Sequence, residues 1–152
     1  IHPDNLGQMQ ESGRDQGHAT LCIALLGVIC EITRNQGDDF YSFDDNRILK
    51  AVEYTAKYNV ARLGVDFEQY SWGSGANCQQ NTHTIISDNG RGSLRPMYEM
   101  MYNHYAKRKG LQATYAEMGA RTGRPEGGGG DYGPNSGGFD QLGFGTLMYT
   151  LD

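Results

Sequence analysis

The stretch Gln10–His18, QESGRDQGH, sets two carboxylates, a guanidinium, two amides and an imidazole immediately before the apolar run Leu21–Cys30. His18 is its natural centre, because imidazole is the side chain whose ordinary pKa suits proton transfer near neutrality. Arg14, Asp15 and Gln16 supply the charges and hydrogen bonds that tune such a group. Gly13 and Gly17 leave room for a ligand to approach the backbone, and a helix start offers unpaired N–H groups to an anion. His18 stands about one turn before Cys22, so it is expected to point toward the interior. The plain alternative is a core histidine satisfied by a carbonyl.

A second constellation lies in SLRPMYEMMYNHYAKRK, Ser93–Lys109. On one continuous helix Arg95, Tyr98, Tyr102 and Tyr105 share a stripe at i, i+3, i+7 and i+10, beside a core stripe of Leu94, Met97 and Met101. A guanidinium near a phenol lowers the cost of forming phenolate. It also binds a carboxylate through two parallel hydrogen bonds. The plain alternative is that these tyrosines are amphipathic packing groups.

Other patterns carry less. His18, His83 and His104 lack HExxH or HxxxH spacing for a metal, and no GxSxG marks a serine hydrolase. The glycines of Gly127–Gly130 lack the GK[ST] ending of a phosphate loop. Cys22, Cys30 and Cys78 have no CxxC spacing. On one helix the first two are roughly 12 Å apart, too far for a disulfide, so buried free thiols are expected.

The elements that position these groups follow from periodicity. A first helix is predicted from about Arg14 to Thr33, with Leu21, Leu25, Val28, Ile29 and Ile32 on its core face and Gly37 as its stop. A second runs from Asp45 to Asn59, and a third from near Ser93 to Lys109 with Gly110 ending it. A short fourth covers Thr114–Arg121. The segment Leu63–Gly92 reads as a long functional loop. RPEGGGGDYGPNSGG holds no regular element, and the tail FDQLGFGTLMYTLD packs back on the body. With 18 acidic and 13 basic residues, net charge −5, there is no general electrostatic footprint for nucleic acid. No signal peptide is visible, and the apolar run is read as too short to span a membrane.

Taken together, QESGRDQGHATLCIALLG, NQGDDFYSFDDNRILKAVEYTAKYN, GRGSLRPMYEMMYNHYAKRKGL and the end RPEG with GFGTLMYTL resemble the alginate lyase-like polysaccharide lyases. The resemblance implies an all-α fold, the C-terminal portion of an incomplete (α/α) toroid of helical hairpins with long Gly-rich loops. Residues 1–152 then form one partial catalytic domain whose N-terminal part is carried elsewhere. It also implies β-elimination on a uronic acid polysaccharide such as alginate or glucuronan, an anionic partner, no metal or cofactor, and a secreted or periplasmic setting. The catalytic set it points to is Tyr102, His18 and Arg95, with Tyr98 and Tyr105 as alternatives to Tyr102. Substrate binding falls to Gln16, Arg14, Asn81, His83, Arg91, Tyr98 and Tyr105. In the family an asparagine precedes the histidine; here Gly17 does, which leaves the neutralising amide to Gln16 or Asn81. Two other readings compete: a carbohydrate-binding module without turnover, and a glycoside hydrolase on a related helical barrel, which needs two carboxylates across a cleft.

Overall fold

The computed structural model describes residues 1–74, 79–126 and 143–151. A 3-10 turn, Gln10–Gly13, leads into α1, Gln16–Asn35. There follow a second 3-10 turn, Phe40–Ser42, α2, Phe43–Asn59, the strands β1, Tyr70–Ser74, and β2, Gln79–His83, then α3, Tyr98–Tyr102, which runs directly into a π-helical turn, Asn103–Arg108. Two more helices, α4, Thr114–Gly123, and α5, Gly145–Tyr149, complete the order. The chain is mostly helical, but the expectation of an all-α fold needs correction: the predicted loop Leu63–Gly92 contains an antiparallel hairpin in which Tyr70 faces His83 and Trp72 faces Asn81.

α1 starts and stops for local reasons. Asp15, in extended conformation, caps it by accepting from the His18 N–H at 2.8 Å. At the other end Gly37 adopts φ +100, while the N–H groups of Gly37 and Asp38 return to the carbonyls of Arg34 and Thr33. The helix is long and apolar enough by composition to cross a membrane. In this structure one of its faces packs into the core with Gln16 and Thr20 among its buried residues, as a core helix does.

That buried face is not the predicted one. Ala19, Ile23, Ala24, Gly27 and Cys30 are buried, whereas Leu25, Ile29 and Ile32 are 45%, 48% and 52% exposed. The selection follows size: a side chain at Gly27 would collide with the methyl ends of Met100 and Met101, so the small-residue face is the one α3 can approach closely. Gly119 does the same for α4, whose surface there lies against the Tyr98 ring. The core thus joins α1, α2, α3 and α4 through Ile23, Val52, Met97, Met101, Tyr105 and Ala116.

α2 opens on Asp44, Asp45 and Asn46, all with φ near +50, a conformation that Asp and Asn tolerate better than other non-glycine residues. α5 returns the tail to the body as expected, with Gly145 tucked against Glu99 and Glu126. Cys22 and Cys30 are free thiols, Cys30 buried and Cys22 partly so; Cys78 and most of the Gly-rich segment, 127–142, lie outside the described residues.

Candidate functional site

The first turn of α1 is where polar groups converge. The Asp15 carboxylate accepts from the His18 backbone N–H and meets the imidazole Nδ1 at 2.7 Å. Burial pushes this carboxyl up, but the hydrogen bonds from His18 and the charge of Arg14 outweigh it and hold it below the usual range. An ionised carboxylate only accepts, so Nδ1 carries the proton and Nε2 is left to exchange one with an incoming group. His18 does not project into the interior: 44% of its side chain is exposed. Because Asp15 caps the helix and the Gln16 N–H bonds Asn89 O at 2.8 Å, the expected open anion site at the helix start is already filled.

Gln16 is structural wiring. Its amide donates to Ser12 O at 3.1 Å and Ser87 O at 2.9 Å, while its oxygen accepts from Asn59 Nδ2 at 2.9 Å. With 1% exposure and every bond accounted for by protein, it cannot also neutralise a substrate carboxylate. Arg14 is exposed and pairs with Glu11 at 3.3 Å. Arg91 is also occupied: its guanidinium lies 3.9 Å from the Tyr58 ring centre, pairs with Asp88 and donates to the carbonyls of Tyr58 and Leu63. These bonds, with Gly92 N–H to Asn59 Oδ1 at 3.0 Å, fasten the 87–93 loop to the end of α2, while Ser87 O and Asn89 O accept from Gln16 and hold it at the start of α1.

The hairpin closes another side. His83 fills the space beside Gly13, so that glycine admits a protein side chain rather than a ligand. His83 also meets Tyr70, with ring centres 5.5 Å apart. Burial and the Glu11 carboxylate push the Tyr70 phenol up to about 12. Asn81 sits half-buried on β2 opposite Trp72.

Arg95 and the tyrosines are rearranged relative to the predicted stripe. α3 begins only at Tyr98, so Arg95 lies in the turn before it and is 7% exposed; burial and the Glu11 carboxylate push the nearby Cys22 thiol up despite the opposing charge of Arg95. The π-helical turn after Tyr102 then changes the period, because its bonds run i to i+5. Tyr105 is fully buried and donates to Tyr41 O at 3.0 Å; Tyr98 is 2% exposed against Gly119. Burial pushes both phenols far above their ordinary value. Neither reaches a cleft, and Tyr102 is the half-buried member of the three.

Thr20 Oγ lies 3.4 Å from Ser93 Oγ, which brings the Arg95 turn against the helix that carries His18. Arg95 also lines a cavity of about 30 Å³ with Leu94, Pro96, Gly123 and Glu126. Next to Glu126, Arg124 donates Nε to Glu99 at 2.7 Å, and Glu99 stands one turn before Tyr102. The Arg95 turn thus touches α1 through Ser93 and Thr20, and Arg124 is tied through Glu99 to the helix that carries Tyr102. Sequence reasoning missed Arg124, Tyr70 and Asn59, although RPEG drew attention to the first; Glu99 counts there only as a carboxylate for the hydrolase reading, not as the partner of Arg124. Among the described residues no group of three His, Cys, Asp or Glu is arranged to hold a metal ion.

Comparisons with protein-family models, with curated proteins and with solved structures find no match to this chain.

Proposed function

We propose that this chain is a polysaccharide lyase acting on a uronic acid polymer by β-elimination. The observation that carries the reading is the half-exposed His18 held through Nδ1 by the ionised Asp15, which leaves Nε2 ready for proton transfer. In the proposed reaction a base removes the C5 proton of the uronate. The electron pair forms the C4–C5 double bond, the bond from C4 to the glycosidic oxygen breaks, and an acid returns a proton to the departing oxygen. Tyr102 and His18 serve as acid and base, and Arg95 offsets the charge that builds on the C5 carboxylate.

Two further features support this assignment. Glu99 and Glu126 are spent on internal bonds to Arg124 and Thr146, which removes these two from the acid and base pair that a glycoside hydrolase needs. The exposed apolar stripe of Leu25, Ile29 and Ile32 suits a toroid, where each helix has neighbours on both sides. The test is to incubate the protein with alginate, polymannuronate, polyguluronate, glucuronan and hyaluronan and follow the ultraviolet absorbance of the unsaturated uronate. A rise on one polymer is expected. New reducing ends without that absorbance would replace the lyase reading with hydrolysis, and binding with neither would leave a carbohydrate-binding module.

A further inference from the structure

One face of α3 carries Glu99, Tyr102 and Asn103, at i, i+3 and i+4. The Glu99 side chain has no exposure and is surrounded by donors: Arg124 through Nε at 2.7 Å and through Nη2, Asn103 Nδ2 at 2.8 Å, and Thr150 Oγ at 3.1 Å. A carboxylate buried this deeply needs such a set, and removal of one partner is costly. The guanidinium is less fully committed. Its side chain is 36% exposed, and the Glu99 pair uses Nε and Nη2 but not Nη1.

A planar fork clamped on one edge is preorganised for a second planar anion on the other. The local charge permits one. Glu126 is turned to the Thr146 N–H and hydroxyl at 3.2 and 2.9 Å, and Arg95 lines the same small cavity as Glu126. Among the described residues here two guanidiniums stand with two carboxylates, so these four groups present an anion with no excess of negative charge. Arg124 also senses the Tyr102 phenol, as expected from the single turn between Tyr102 and Glu99.

We propose that Arg124, locked by Glu99, is a substrate-carboxylate site beside Tyr102, where the open edge of the guanidinium takes the carboxylate of a uronate residue. This rests on the lyase reading and adds a second guanidinium to it, besides Arg95.

The test is steady-state kinetics of Arg124→Lys on whichever uronate polymer the wild-type protein cleaves, with melting temperatures measured alongside. Lysine keeps the charge that Glu99 requires but not the fork. The expected result is a melting temperature near wild type and a KM raised about tenfold, the usual weight of a charge-assisted hydrogen bond, with a smaller change in kcat. Should Arg124→Lys not fold, the double variant Glu99→Gln with Arg124→Gln replaces the ion pair by a neutral amide pair, and the same rise in KM is expected. A folded variant of either kind with wild-type KM overturns the assignment of Arg124 alone. A wild-type protein that cleaves none of the polymers overturns the lyase reading and this site with it.

Discussion

His18 and His104 occupy opposite settings in the same small molecule. His18 is 44% exposed in its side chain and anchored through one nitrogen by Asp15. His104 is 5% exposed, lies flat on Tyr41 with ring centres 3.6 Å apart and 14° between planes, and finds no hydrogen-bond partner for either nitrogen among the described residues. Burial, reinforced by Lys109 and Arg108, pushes His104 down to about 4, so it is neutral at physiological pH and behaves as an aromatic slab. The contrast teaches that solvent and a carboxylate, not the imidazole itself, make a histidine fit for proton transfer.

The strongest way to break this division of labour lies in the tyrosines that accompany it. Tyr102→Phe should lower kcat on the cleaved polymer by about 10²–10⁴, the range expected for loss of a general acid or base, and leave the fold intact. A kcat near wild type would move the acid to another residue.

Next in size is the effect of pH on stability. The folded pKa of His104, about 4, lies below its ordinary value of 6.5, so the unfolded chain binds the extra proton between these limits. Stability is therefore greatest, as far as this group is concerned, above 6.5 and is lost as pH falls toward 4, by about 3 kcal/mol in full. Chemical denaturation across that window checks it, and His104→Phe should flatten the slope.

A smaller effect is expected at Asp15. Asn caps a helix about as well as Asp, so Asp15→Asn should melt near wild type, but an amide fixes the imidazole tautomer less firmly and kcat should fall roughly tenfold or more. Asp15→Ala adds a stability loss of about 1 kcal/mol as the cap disappears. Smallest of all is Tyr98→Phe. Its hydroxyl is buried without a partner among the described residues, so removal should leave activity unchanged and alter stability by no more than about 1 kcal/mol, in the stabilising direction.

The helices were legible because their signals are local. Asp15 before the apolar run, Gly37 with positive φ and the 3.6-residue period mark α1, α2 and α4 to within a few residues, and Gly110, also at positive φ, marks the end of the π-helical turn after α3. The buried face of α1 was not legible. Apolarity points to Leu25, Ile29 and Ile32, but close approach of Met100 and Met101 selects the smaller side of the helix at Gly27, and that is a tertiary decision. The hairpin was missed because YSWGS and QQNTH show no clean alternation of apolar and polar residues.

The same limit explains the site. QESGRDQGH signals a polar centre, and the Asp15–His18 contact follows from capping geometry at i, i+3. Which of Tyr98, Tyr102 and Tyr105 reaches solvent depends on where α3 starts and on the switch to a π-helical turn, neither of which the stripe pattern encodes. Arg124 came from 25 residues beyond Glu99, and nothing in the spacing joins them.

The most direct test of the account is His18→Ala, assayed for formation of unsaturated uronate and for melting temperature in the same preparation. The account predicts a protein that melts like wild type, since the exposed imidazole holds little of the fold, and turns over at least about a hundredfold more slowly. A folded His18→Ala protein with full activity would contradict it.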